Sequence, residues 1–248
     1  MSKFLGIIIG VATAVLLGIA TYSIIDGNSK MTDYDQYDFY SIIKADDNNG
    51  HIADHVKGSA DAPVLIFEYA DYQCPGCASI NSKINKAIEA TGGKVAVVYR
   101  SFLLSYHQNG TAAASSAEAA GLQGYWKQYA DILFANQEEW EYASSSTRND
   151  FFKKYFIEAS EGLGDVDKFL ADMKSEDISK KISFDMAIAK RVNIEATPAL
   201  YVDGQMINWS GAGSITVNGK VISWDSSRGA ESDLIQLFKD IAAAKIGE

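Results

Sequence analysis

The feature that most constrains this chain is a junction. Val64-Leu65-Ile66-Phe67-Glu68-Tyr69-Ala70 is an apolar run of strand character, and after Asp71-Tyr72-Gln73 it leads into Cys74-Pro75-Gly76-Cys77, which holds both cysteines of the protein. Two cysteines separated by two residues at the first turn of a helix lie close enough to open and close a disulfide with little backbone movement. Pro75 suits the first helical position, where its fixed φ fits and its missing N–H costs nothing. The unsatisfied N–H groups and the positive end of the helix dipole favour a thiolate on Cys74. That sulfur is therefore expected to have a depressed pKa and to be the exposed, attacking or attacked one. Cys77, about one turn further in, is expected to be shielded and to act as the resolving thiol.

Two inert readings of the pair are weaker. A closed zinc site needs four ligands, and beyond the cysteines the chain offers only His51, His55 and His107. A disulfide closing so short a loop constrains the unfolded chain little. At 248 residues and 47% hydrophobic content the chain buries a sizeable core without such a staple. No metal is expected, and no cofactor apart from a redox-active Cys74–Cys77 disulfide. The net charge of -10 argues against nonspecific binding to nucleic acid.

Phe4 to Ile25 is almost uninterruptedly apolar, with Lys3 before it and Asp26 after it. That length spans a bilayer, and the leading positive charge places the amino terminus inside and the rest outside. A retained anchor over 1–25 is expected. A cleaved signal peptide is the competing reading, weakened by the poor cleavage site at Ala20-Thr21-Tyr22. Either way the body is exported to a compartment where disulfides persist. Residues 26–54 are rich in Asp, Asn, Tyr and Ser and read as a stalk. Asp33, Asp35 and Asp38 alternate with aromatics there, as a solvated linker or, alternatively, a cation site. His51 and His55 lack a third ligand and read as surface histidines.

Within the body, Gly58 to Pro63 reads as a turn and Val64 to Ala70 as a buried strand. Glu68 is its anomaly, because a carboxylate inside an apolar strand is costly unless it is paired or protonated. Strand geometry aims it beneath the helix start, where it could exchange a proton with Cys77; the alternative is an edge position with Glu68 in solvent. Ala78 to Ala90 continues the helix and Val95 to Tyr99 is a second strand, so the crossover implies a parallel pair. Arg100 and His107 are expected in the loop that follows, where His107 could approach the redox site, although a loop histidine is more often only a surface group.

Helical patterns then fill about 110–192: to Gln123, Tyr125 to Gln137, Asp150 to Ala159, Val166 to Met173 and Ile178 to Val192, with Ser144 to Thr147 as a separator. Trp126, Tyr129, Phe134 and Trp140 read as the core of this block. Pro198 opens an apolar strand, Asp203-Gly204 makes a turn, and Asn218-Gly219 centres a hairpin over Ser214 to Ser223. Ser232 to Lys245 closes the chain as an amphipathic helix.

Glu68, Cys74-Pro75-Gly76-Cys77 and Thr197-Pro198, in this order around a helical block, resemble the DsbA-like thiol-disulfide oxidoreductases of the thioredoxin fold. The resemblance spans His55 to the carboxyl end, and the stretch from Tyr99 through His107 to the alanine-rich helix resembles the anchored, extracytoplasmic members. It implies an α/β fold, a thioredoxin-like central mixed sheet with an inserted all-helical block, in domain 55–248. It also implies that Cys74 is the reactive sulfur, Cys77 its partner and Glu68 the family's buried acid. Pro198 would be a cis proline facing the pair, and the Thr197 backbone would bind an extended substrate segment. Gly76 departs from the histidine of the best-known periplasmic oxidase and offers the thiolate only backbone.

The function expected is oxidation of exported proteins through a mixed disulfide at Cys74, with a quinone-linked membrane partner restoring the disulfide. The same scaffold could serve as a reductase or isomerase, or as a peptide-binding module without turnover.

Overall fold

The computed structural model describes residues 34–208, 211–225 and 231–247. The expected anchor lies outside these residues. Among the described residues no helix is long and apolar enough to cross a membrane. Tyr34–Gln36 forms a short 3-10 turn belonging to a unit that ends at Gln36, and Tyr37–Glu248 forms a second unit.

The second unit is built on a mixed sheet of five strands: β1 (His55–Lys57), β2 (Val64–Ala70), β3 (Val95–Ser101), β4 (Ala199–Val202) and β5 (Gln205–Ile207). Their spatial order is β1-β3-β2-β4-β5, with β2 and β3 parallel and the other pairs antiparallel. The parallel pair is joined by the cysteine-bearing helix α1 (Pro75–Ala90). Val64, Ile66, Val95, Val97 and Leu200 pack on the Ile80, Ile84 and Ala87 stripe of α1 and on Leu237, Phe238 and Ile241 of the last helix. Burial of this stripe, rather than intrinsic propensity, holds α1 to the sheet.

Six helices follow β3: α2 (Gly110–Gly121), α3 (Trp126–Ala135), α4 (Gln137–Trp140), α5 (Ser145–Ala159), α6 (Val166–Asp172) and α7 (Glu176–Arg191). The first five form a block whose core holds Trp126, Tyr129, Phe134 and Trp140, as expected, and also Tyr72, Cys74 and Cys77. Helix α5 starts earlier than its apolar pattern suggests. Ser144 caps it by accepting a hydrogen bond from the Thr147 N–H at 3.4 Å, so the expected separator is a helix start. The hairpin comes as β6 (Ala212–Val217) and β7 (Lys220–Asp225), with Asn218 and Gly219 both at positive φ (49° and 78°). The chain's last helix is α8 (Glu231–Ile246).

Arg100 is not in a loop: β3 runs on to Ser101, and Arg100 is buried on the sheet face opposite α1. Its guanidinium donates to Asp54 Oδ2 (2.7 Å), to the Tyr69 hydroxyl (3.1 Å) and to the carbonyls of Phe39 and Ser41. Lys181 of α7 bridges Asp54 (3.1 Å) and Asp185 (2.8 Å), and Asp185 accepts the Ser101 N–H. Residues from Tyr37 onward are therefore packed against the sheet, which departs from the stalk reading for that part of 26–54. The Asp54 carboxylate and the backbone carbonyls of Phe39 and Ser41 tie this stretch to a buried arginine, while Asp38, Lys44 and Asp47 meet water.

His55 departs from the surface reading too. Its ring stacks on Trp126 at 4.4 Å and its Nε2 lies 2.7 Å from Glu118 Oε2.

Candidate active site

Cys74 is the N-cap of α1, extended at φ -76° and ψ 121°, and Pro75 occupies the first turn. The two cysteines approach to 3.6 Å with both sulfurs free. Cys77 is fully buried, whereas Cys74 keeps 7% of its surface, so Cys74 is the accessible sulfur but far less open than the sequence suggests. Facing it is the Thr197–Pro198 bond, which is cis, with the Thr197 carbonyl 3.5 Å from Cys74 Sγ. A Cβ on Gly76 would lie 3.1 Å from Pro198 Cδ and 3.7 Å from Cys74 Sγ. The small residue therefore lets the proline loop close over the helix start.

The pKa values of the pair are driven apart. A hydrogen bond from the Cys77 side chain, working against burial, draws the Cys74 pKa down to about 5. The Thr197 side chain and the backbone N–H groups of Cys77 and Gly76 add to this. Thr197 Oγ1 itself is buried and makes no hydrogen bond among the described residues. Burial, then the hydrogen bond and charge of Cys74, push Cys77 well above the ordinary thiol value. The anion thus sits on the sulfur that faces the outside.

Glu68 lies fully buried on the sheet face beneath α1, in a central strand, which removes the solvent-edge alternative. Its partner is Lys57, which the sequence reading did not single out: Lys57 Nζ is 3.7 Å from Glu68 Oε2, and both side chains are fully buried. That separation makes an ion pair rather than a hydrogen bond, and neither Glu68 oxygen has a hydrogen-bond partner among the described residues. Burial raises the Glu68 pKa, Lys57 opposes the rise, and the charge of Asp131 adds to it. Lys57 also donates to Asn81 Oδ1, and Asn81 Nδ2 donates to Asp131 Oδ1 at 3.0 Å. A line of polar groups therefore runs from beneath the cysteines to the half-buried Asp131, which Lys127 meets at 3.1 Å.

The approach to the cysteines is held rigidly. Asp71 accepts from the N–H groups of Gln73 (2.8 Å) and Leu104 (2.9 Å), and His107 Nδ1 lies 2.8 Å from its Oδ2. His107 lines the same cavity as Cys74, held there by Asp71. Gln137 Nε2 donates to the carbonyls of Tyr72 (2.6 Å) and Cys74 (3.1 Å), which ties the helical block to the cysteine turn. Among the described residues no group of three or more His, Cys, Asp or Glu is placed to hold a metal ion.

A dithiol at a helix start, an acid paired beneath it and a cis proline across from it define a thioredoxin-fold protein. The chain belongs to the thioredoxin family, whose sequence model matches residues 51–228. It is 31% identical over 155 residues to the Na(+)/H(+) antiporter NhaA 1 of Mycolicibacterium gilvum, covering 61% of this chain and 24% of the antiporter. The chain thus spans about a quarter of the length of that relative. It is 26% identical over 213 residues to a protein of Bacillus cereus named Probable disulfide bond formation protein D, covering 82% of this chain and 89% of the other. In fold it is similar to oxidised BdbD from Bacillus subtilis, with a TM-score of 0.59 at 19% identity over 84% of this chain and all of the other. It is also similar to alpha-DsbA1 of Wolbachia pipientis, with a TM-score of 0.55 at 21% identity over 78% and 94%.

Proposed function

We propose that this protein is an extracytoplasmic thiol-disulfide oxidoreductase, tethered through Phe4 to Ile25, that works as an oxidase. The observation that carries the reading is the opposed displacement of the two thiol pKa values. Cys74, drawn down to about 5, is a stable anion and a good leaving group. This favours the reduced pair and hence donation of the disulfide.

In the oxidised protein a substrate thiolate attacks Cys74 Sγ and the Cys74–Cys77 bond breaks. Cys77 leaves as a thiolate and takes a proton from Glu68. A second thiolate of the substrate attacks the substrate sulfur of the mixed disulfide, Cys74 leaves as a thiolate, and the substrate has lost two electrons to the cysteine pair. Thr197, beside Pro198, presents backbone to an extended substrate segment. A quinone-linked membrane partner would take the electrons and restore the disulfide.

The test is stoichiometric oxidation of a reduced, unfolded protein by the disulfide form, together with a glutathione redox titration. The oxidase reading expects oxidation that is lost in Cys74→Ser, and a midpoint well above that of cytosolic thioredoxin, about -270 mV. A midpoint at the thioredoxin value would overturn it.

A further inference from the structure

Cys74 opens into a cavity of about 470 Å³ lined by Gln73, Cys74 and Pro75 on one side and by Glu195, Ala196 and Thr197 on the other. Leu104, Tyr106, His107, Glu141 and Tyr142 complete it. Its volume falls in the range of sites that enclose a small ligand or a few residues of a peptide. The side chains at its rim are of two kinds. Tyr106 and Tyr142 are 72% and 87% exposed, high values for aromatic rings beside a reactive sulfur. Glu141 and Glu195 are carboxylates whose side chains have no ion-pair or hydrogen-bond partner among the described residues. The lining contains neither lysine nor arginine, and its one histidine is taken up by Asp71. On the facing wall the Thr197 hydroxyl is buried without a hydrogen-bond partner.

Unneutralised carboxylates and open tyrosine faces attract the same kind of group. A carboxylate pairs with a cation at a rim, and an aromatic face holds a lysine or guanidinium over its ring. They would repel an acidic segment. The net charge of -10 on the chain adds long-range steering in the same sense. A polypeptide that reaches Cys74 with its own sulfur has to lie along this cavity. In an extended segment, which rises about 3.3 Å per residue, the positions that meet the rim are those within two or three residues of the substrate cysteine.

We propose that Glu141 and Glu195 are specificity-determining residues that select substrate cysteines flanked by lysine or arginine. The proposal rests on the redox reading above and names the substrate class of the same site.

The experiment uses the reduced protein and two short peptides. Each peptide carries one cysteine as a mixed disulfide with thionitrobenzoate, in one case flanked by lysines and in the other by glutamates. The Cys74 thiolate attacks the peptide sulfur, the Cys74–peptide disulfide forms and coloured thionitrobenzoate leaves with the electron pair. Second-order rates are normalised, for each variant, to reaction with neutral dipyridyl disulfide. Rim ion pairs of ordinary strength lead to a preference of about tenfold for the lysine peptide at low salt. That preference should shrink severalfold in Glu141→Gln and in Glu195→Gln, fall in the double variant to the small remainder sustained by the net charge of the chain, and fall with added salt as screening grows. Equal rates for both peptides at low salt, or a preference undiminished by the double substitution, would overturn the proposal while leaving the redox reading intact. Failure of Cys74 to react with dipyridyl disulfide would instead remove the redox reading itself.

Discussion

Lys57→Met is the substitution that examines the buried acid most sharply. Lys57 Nζ lies 3.7 Å from Glu68 Oε2 with both side chains out of solvent, and at an effective dielectric of about 20 two unit charges at that distance interact by about 4 kcal/mol. At about 1.4 kcal/mol per tenfold, loss of the ammonium raises the proton affinity of Glu68 by up to about a thousandfold. The sign follows from burial, which already raises the Glu68 pKa and is opposed by Lys57; without the cation Glu68 holds its proton more tightly and is a poorer acceptor of one from Cys77. The assay is single-turnover decay of a Cys74 mixed disulfide by attack of Cys77, followed against pH. The limb that tracks Glu68 ionisation should move to higher pH, and the rate at neutral pH should fall by one to three orders of magnitude. Glu68→Gln should be slow with no such limb, and adding Lys57→Met to it should slow it no further, because the two residues act as a unit. A limb that stays in place, or effects that multiply independently, would refute the proton-exchange role, and the Glu68→Gln background separates this from a general loss of fold.

Asp131→Asn should move the same limb the other way, to lower pH, since the charge of Asp131 adds to the rise in the Glu68 pKa; no displacement in that profile would show that the polar line from Lys57 through Asn81 carries no influence. On the opposite face of the sheet, Arg100 and Lys181 hold the Asp54 pKa down to about 2 against burial. A depressed folded-state pKa gives stability that is present above the ordinary carboxylate value of 3.8 and is lost as pH falls through about 2, on the order of 2 kcal/mol. Asp54→Asn should flatten that part of the acid-unfolding curve and, by leaving the buried Arg100 without a carboxylate, lower stability at neutral pH by about 3–5 kcal/mol in urea titrations.

What was legible in the sequence was whatever rested on local pattern. The junction from Val64 to Cys77, the stripe of α1, the helix start at Pro75 and the Asn218-Gly219 hairpin each follow from residues adjacent in the chain. What escaped depends on partners far away. Lys57 carries no signal in the sequence because its short strand has no apolar alternation, and only the pairing of β1 with β3 turns it under α1 toward Glu68. His55 and Arg100 were misplaced for the same reason: a lone histidine or an arginine ending a strand signals the surface until Glu118 or Asp54 is brought to it. The cavity beside Cys74 draws on four separate stretches of chain, and no single stretch announces it. The cis bond before Pro198 was anticipated by family resemblance and not by any rule of spacing.

The claim beneath all of this is that Cys74 is an anion at neutral pH while Cys77 keeps its proton. Thiolate absorbance near 240 nm, followed through a pH titration of the reduced protein and of Cys77→Ser, reads that directly. The account predicts that in the reduced protein half the Cys74 signal appears at about pH 5, and that it moves upward in Cys77→Ser, where the largest stabilising hydrogen bond is gone. A reduced protein whose thiolate appears only near 8.5, as for free cysteine, would contradict it.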